Sequence, residues 1–404
     1  MRNRLDPVAW GDAWRAFAAS RVLVLLAASF GAVLFAEGVA ASSANPDYVH
    51  PFGSWPLGGL FDFLFAPLVR WDAQWYLTIA EHGYRPEGFA DIGARPAFFP
   101  LYPLLITVLG GFAGPGGAVI AATAISLASL LPALYLVHRL IGLELGADTA
   151  RTTVWLLAFS PVAFFFSAPY TESLFLLLSV GSLYAARTGR WAAAGALAGG
   201  ASATRPTGAL LLLPLLMLYL VDRGVRPPRI RRPRLDVLWL ALTPAGLVAF
   251  SVYMADRFGD WDQWRASQYL HGRVETVDPF TGLRRAAAAL YHALEGDVAD
   301  HLQFPIILES AFFAFAVVAV IGVFRLLPAA YGVYCAAALI PPLLQPVVKE
   351  PLTSYPRFTL TLFPLYAWLA HVALKRGWEH GLLVAFAASL GVLTSAFAAW
   401  EHLI

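Results

Sequence analysis

Hydrophobic positions in this chain run in long unbroken blocks rather than in the short alternations of half-buried elements. Stretches near the ~20 apolar residues that a spanning helix needs recur from Ala16 almost to the C-terminus. In the bilayer core no water can satisfy backbone groups, so only helices or a closed barrel can cross. Runs such as Ala209 to Val221 lack the dyad alternation of a barrel strand. The pattern therefore predicts an all-α, polytopic membrane protein of about 11 transmembrane helices. They are placed at 16–40, 117–138, 152–168, 172–187, 191–204, 207–222, 237–256, 306–324, 329–347, 359–374 and 381–401. The chain reads as a single integral membrane domain, 1–404, with spans 2–7 in 117–256 and spans 8–11 in 306–404. A long outer loop, 41–116, follows the first span, and a second covers 257–305. The first run follows Arg2, Arg4 and Arg15, and AEGVAASSA behind it offers small residues for cleavage. Its length and the spans that follow favour a retained helix over a signal peptide.

Composition agrees, with 59% hydrophobic and 13% charged residues, about half the charged fraction of a soluble domain. Orientation follows from charge placement. RGVRPPRIRRPR, Arg223 to Arg234, must be cytoplasmic under the positive-inside rule. That threading puts 17 Lys+Arg and 7 Asp+Glu inside, against 11 and 19 outside, so the faces carry about +10 and −8. The parity requires that Phe98 to Phe112, apolar but only 15 residues and interrupted by Pro100 and Pro103, lie in the outer interface. Function is then expected on the outer face, where both long loops are rich in Trp, Tyr, Asp and Arg. The lone cysteine, Cys335, excludes an intrachain disulfide. CxxC, HExxH, P-loop and Rossmann motifs are missing, and nothing points to nucleic acid.

Candidate chemistry clusters in a few stretches. In LVRWDAQWYLTIAEHGY, Leu68 to Tyr84, a helix would put Trp71, Trp75 and Ile79 on one face, with Asp72, Tyr76 and Ala80 beside them. Asp72 then sits at lipid-headgroup depth; equally, it could be a solvated aspartate paired to Arg70. Asp62, ten residues upstream in FDFLF, is its rival. The third and fourth spans meet at SPVAFFFSAPYTESLF, Ser160 to Phe175, with Tyr170, Thr171 and Glu172 at their outer end, unless this is only a corner with Thr171 as N-cap. ATRPTG sets Arg205 in an apolar 31-residue stretch. At mid-bilayer an arginine costs about 2.5–3.5 kcal/mol, so it belongs at the outer end of a hairpin. There it could hold a phosphate bidentately or merely snorkel. KEPLTSYPRF adds Lys349 and Arg357, cations on an otherwise acidic face. RFGDWDQWRASQYLHGR offers Asp260, Asp262, His271 and Arg273, as an acceptor surface or a solvated cap. The D-x-D spacing is weak evidence for a metal.

Taken together, RWDAQWYLTIAEHGY, FFPLYPLL, SPVAFFFSAPYTESLF, ATRPTG and SYPRFTLTLFPLY resemble the PIG-V-like mannosyltransferase family, which adds the second mannose of GPI anchors, within the GT-C superfamily. They keep their order over residues 68 to 367. The resemblance implies a GT-C-like fold whose first outer loop carries interfacial helices and the catalytic aspartate. It implies a polyprenyl-phosphate sugar donor, typically mannose, and an inverting transfer without a metal or other cofactor. Carried over by position, Asp72 is the general base, Arg205 and Arg357 are donor-phosphate contacts, and Tyr170 and Glu172 lie near the sugar or acceptor. From the residues themselves, Lys349 is a further donor-phosphate candidate, and Trp71, Tyr76 and His271 are candidate substrate-binding residues. An Ala- and Arg-rich composition suggests a bacterial cytoplasmic membrane with the site on the extracytoplasmic face, where the acceptor is a lipid or a glycan. The competing class, a transporter or flippase, needs acidic residues deep in the spans and paired broken helices. A non-catalytic subunit of a glycosylation complex would keep the fold without using Asp72.

Overall fold

The computed structural model describes residues 5–34, 60–84, 94–112, 117–222, 229–230, 234–401 and 403, without the side chains at 61, 62, 222, 229 and 230. Four described helices are long and apolar enough to cross a membrane: Pro7–Leu34, Gly117–Leu145, Asp300–Leu326 and Glu379–Ala398. The pair Leu235–Leu242 and Ala245–Phe258, bent by 45°, is apolar and long enough to make a fifth if it counts as one span. With further short apolar helices between them, this is an all-α, multi-pass membrane protein. Its described strands are one two-residue antiparallel ladder, Val221 against Ile230 and Asp222 against Arg229.

The first helix starts well before the expected span, because Asp6 caps it. The Asp6 carboxylate accepts the amides of Val8 and Ala9 at 3.1 and 3.2 Å, and Pro7 occupies the first helical position, where no N–H is needed. The helix packs against Glu379–Ala398 from the other end of the chain. A Cβ on Gly31 would lie 2.3 Å from the Ser395 carbonyl oxygen, so only glycine permits this approach. The Ser395 hydroxyl ties the pair by donating to the Ala27 carbonyl at 2.9 Å.

The eleven expected spans are not eleven helices of crossing length. The span expected at 152–168 is α-helical only to Ala158; Phe159 to Thr171 continues as turns around a 3-10 segment, Ala163–Phe166, and is buried almost throughout. The 207–222 block divides into 3-10 Pro206–Leu211 and helix Leu212–Leu220. The 237–256 block bends just before Pro244–Ala245, and 329–347 is helical only from Ala329 to Leu344. Hydropathy registers the transfer free energy of side chains and is blind to whether the backbone under them stays helical. Irregular backbone at membrane depth is tolerated only where protein encloses it.

Arg21 supplies that enclosure. Buried in the first helix, it donates to the Ala158 carbonyl at 3.0 Å, the Ala163 carbonyl at 2.9 Å and the Ser167 hydroxyl at 2.6 Å. The carbonyls left over where the helix stops are thereby satisfied. Helix Leu101–Gly110 rises about 15 Å, half the ~30 Å hydrocarbon core, and does not cross. It runs antiparallel to the start of Gly117–Leu145: the Tyr102 hydroxyl donates to the Ala122 carbonyl at 2.9 Å, and Gly110 abuts Ala118.

Candidate functional site

The broken elements converge on a cavity of about 630 Å³. Its wall draws on residues 71–76 and 97–98 of the first outer loop, the turn at 205–210, residues 264–276 of the second loop, and 341–358.

At the base lies a chain of alternating charges. Arg357 Nη1 is 2.5 Å from Asp72 Oδ2, and its Nε is 2.8 Å from Glu172 Oε1. The same Glu172 oxygen lies 2.5 Å from Arg205 Nη2, and Arg205 Nε donates to the Thr171 hydroxyl at 2.8 Å. Glu172 is fully buried, whereas the Asp72 side chain keeps 33% of its surface exposed. The Arg357 guanidinium also lies 4.7 Å from the Tyr170 ring centre and 5.2 Å from that of Phe165, a cation–π contact strengthened by desolvation.

Local sequence explains how each group is aimed. Asp72 is the N-cap of helix Ala73–His82 but makes no side-chain capping bond. An aspartate there ordinarily stabilises a helix by about 1 kcal/mol; here its carboxylate is turned to Arg357 instead. The residue before it, Trp71, has φ 53°, so the helix expected over Leu68 to Tyr84 starts only at Ala73 and Trp71 leaves the Trp75–Ile79 stripe. Its ring meets Trp400 at 5.5 Å. The described residues contain three non-glycine positions with positive φ, namely Trp71, Ser354 and Trp400. Two of them line the cavity and the third contacts a lining residue. Such backbone costs of the order of 1–3 kcal/mol and clusters at sites where the surroundings over-determine it. Ser354 precedes helix Tyr355–Leu360, which carries Arg357, and its amide donates to buried Glu309 Oε1 at 3.1 Å.

Most of the expected site residues come together. Trp71, Asp72, Tyr76, Tyr170, Arg205, His271 and Arg357 all line the cavity. Tyr170 spends its hydroxyl on the Arg70 carbonyl at 2.9 Å, so it presents a ring rather than a phenol. His271 Nε2 donates to the Ala94 carbonyl at 3.1 Å, and its ring meets Trp75 and Phe98 edge-on. Glu172 lies behind the two arginines and does not line the cavity. Lys349 is exposed and also lies outside the lining. Arg70 does not pair with Asp72: it donates to the carbonyls of Ala66, Val69 and Ala398. The Asp62 side chain falls outside the described residues. Asp262 pairs with Arg265, and Asp260 accepts the Asp262 amide at 2.9 Å.

Trp264, Gln268, Gln345 and Ser354 line the cavity without an expected role. Arg273, expected in the second loop as part of an acceptor surface or a solvated cap, lines it too. Burial pushes its guanidinium pKa down, against the opposing influence of Tyr355, Glu309 and Asp72, and Arg357 adds to the lowering.

Comparison with known proteins places this geometry. Residues 14–213 match the family model described as Mannosyltransferase (PIG-V). The chain is 33% identical over 178 residues to GPI alpha-1,6-mannosyltransferase 2 of Rattus norvegicus, covering 42% of this chain and 34% of that protein. It is 36% identical over 155 residues to GPI mannosyltransferase 2 of Yarrowia lipolytica, covering 37% and 40%. The matched stretch thus spans well under half of either relative. Among solved structures, ArnT from Cupriavidus metallidurans in the apo state aligns at TM-score 0.48 and 16% identity, over 84% of this chain and 75% of that one. The Archaeoglobus fulgidus oligosaccharyltransferase aligns at 0.46 and 13%, over 94% and 53%. Both structural likenesses are too slight to bear on mechanism.

Proposed function

We propose, from the match of residues 14–213 to the family model described as Mannosyltransferase (PIG-V), that the whole protein is a membrane glycosyltransferase of that family. It moves a sugar, mannose by family, from a polyprenyl-phosphate donor to a hydroxyl of a lipid or glycan acceptor, with inversion and with Asp72 as general base. The observation that carries this reading is a half-exposed carboxylate, Asp72, on the wall of a cavity whose other charged lining residues are arginines.

In the proposed step the acceptor oxygen attacks the anomeric carbon while its proton passes to an Asp72 oxygen. The bond from that carbon to the phosphate oxygen breaks, and polyprenyl phosphate leaves with the electron pair. A positioned base contributes about 10²–10⁴ in rate, and arginines facing the leaving anion stabilise developing charge. Arg357 and Arg205 serve the phosphate end, and Glu172 holds both in place. Because Asp72 is ion-paired with Arg357, a donor anion that draws Arg357 towards itself also frees the base. Tyr76, Trp71, Tyr170 and His271 frame the sugar and acceptor.

Depth supports a lipid-linked donor. Helix Trp191–Thr204 rises about 21 Å before turning at Arg205, less than the ~30 Å core. With the Arg-rich segment cytoplasmic, the charged cluster then lies within the outer half of the membrane and opens outward. Ala209, Leu210, Leu247 and Phe358 on the cavity wall suit an isoprenoid chain.

The test is consumption of polyprenyl-phosphate-mannose by the purified protein in nanodiscs supplied with extracted membrane lipids as acceptor. Nucleotide-linked mannose serves as the control donor. Asp72→Asn should lower turnover by about 10² or more, with Asp62→Asn close to the parent. Loss in Asp62→Asn alone moves the base to Asp62, and use of nucleotide-linked mannose overturns the donor class.

A further inference from the structure

The charged residues lining the cavity are Asp72, Arg205, Arg265, Arg273 and Arg357. Arg205 and Arg357 are matched by Glu172 and Asp72, and Arg265 is matched by Asp262. Among the described residues Arg273 alone of the five has no carboxylate within ion-pair distance. Its side chain makes one hydrogen bond, from Nη1 to the Gln345 backbone carbonyl at 2.8 Å, which leaves most of a guanidinium fork open.

A second orphan donor stands beside it. The Gln345 side-chain Nε2 is buried and has no hydrogen-bond partner among the described residues. Buried donors are rarely left unmade, because each costs about 1–3 kcal/mol. The two residues are held together by paired extended backbone. Val274 N donates to the Pro346 carbonyl at 3.0 Å, Val277 N to that of Leu344 at 2.8 Å, and Val348 N to that of Gly272 at 3.3 Å. Arg273 and Val347 face each other across an antiparallel bridge. A cation with no carboxylate within ion-pair distance and an unsatisfied amide thus belong to two cavity-lining residues that backbone pairing holds side by side.

We propose that Arg273 and the side-chain amide of Gln345 form the subsite that takes the phosphate of the lipid-linked donor. This rests on the proposed transferase reading and makes it specific. A sugar-linked phosphodiester carries one negative charge, and Arg273 is the lining arginine without a carboxylate at ion-pair distance, Glu309 and Asp72 acting on it only from further away. The guanidinium fork meets two phosphate oxygens while the amide reaches a third acceptor. With Arg273 and Gln345 holding the phosphate from one side, Arg357 and Arg205 meet it from the side of the leaving oxygen, and Arg357 is drawn away from Asp72.

The experiment measures binding of polyprenyl phosphate, of the matching polyprenol and of inorganic phosphate to the parent, Arg273→Ala, Arg273→Lys and Gln345→Glu in nanodiscs. The parent should prefer polyprenyl phosphate over polyprenol by about tenfold or more, the range of a charge-assisted hydrogen bond. Arg273→Ala should lose that preference and leave polyprenol binding unchanged, while Arg273→Lys keeps part of it. Gln345→Glu, which gives Arg273 a carboxylate partner, should lose it too, and guards against a fold defect in the alanine variant. A preference retained in Arg273→Ala and Gln345→Glu overturns the subsite while leaving the transferase reading in place. No preference in the parent overturns the lipid-phosphate reading beneath it, and inorganic phosphate displacing polyprenyl phosphate at equal concentration shows a site for free phosphate instead.

Discussion

Arg357 Nη1 and Asp72 Oδ2 lie 2.5 Å apart although 285 positions separate the residues. The candidate base is therefore held by a cation that also grips buried Glu172, and the two functions of the cluster are coupled. Arg357→Gln and Asp72→Asn should each lower donor consumption by about 10² or more. The double variant should fall little further, because residues acting as one unit are strongly non-additive. Additive losses in the rate measurement would show that the pair is structural only.

Glu172 offers the complementary case. Fully buried between Arg205 and Arg357, it should act on folding more than on substrate. Glu172→Gln leaves two arginines without their shared anion, a change of about 3–5 kcal/mol for a buried pair. Thermal unfolding in detergent should show a large drop for Glu172→Gln and a small one for Asp72→Asn. An unchanged midpoint with a raised KM would return Glu172 to the substrate.

Arg21 should be indispensable for the buried loop. Arg21→Leu removes donors to the carbonyls of Ala158 and Ala163 and to the Ser167 hydroxyl. Hydrogen bonds from a charged donor are worth about 1.5–3 kcal/mol each. The variant should unfold at lower temperature or fail to accumulate, and Arg21→Lys should recover only part, since an ammonium cannot span three acceptors. A stable, active Arg21→Leu protein would contradict this account of the broken span.

Orientation is tested with single cysteines in a Cys335→Ser background. Asp297, 68% exposed in the second outer loop, and His380, 92% exposed between the last two helices, lie on opposite sides in the charge-based threading. Asp297→Cys should react with an impermeant thiol reagent added outside intact cells, and His380→Cys only after permeabilisation. The reverse labelling would invert the protein and carry the cavity to the cytoplasm.

The chain's primary structure by itself determined residence in the membrane and singled out most of the stretches that line the cavity. Insertion depends on side-chain transfer free energies summed over a local window, and these can be read without knowing any contact. Asp72, Arg205 and Arg357 were legible because each charge stands out in an apolar or aromatic neighbourhood. Tertiary structure decided what those charges do. The halt of the third span at Ala158 depends on Arg21, more than a hundred residues away, and no hydropathy window contains both. Glu172 proved to be a fully buried anchor outside the cavity lining because Arg205 and Arg357 close over it from two other segments. Arg273 and Gln345 look ordinary in sequence, and only backbone pairing between two distant loops makes them neighbours with nothing to bind. An unsatisfied donor is a property of three-dimensional surroundings, set by which groups fail to arrive, and a linear pattern holds no record of that.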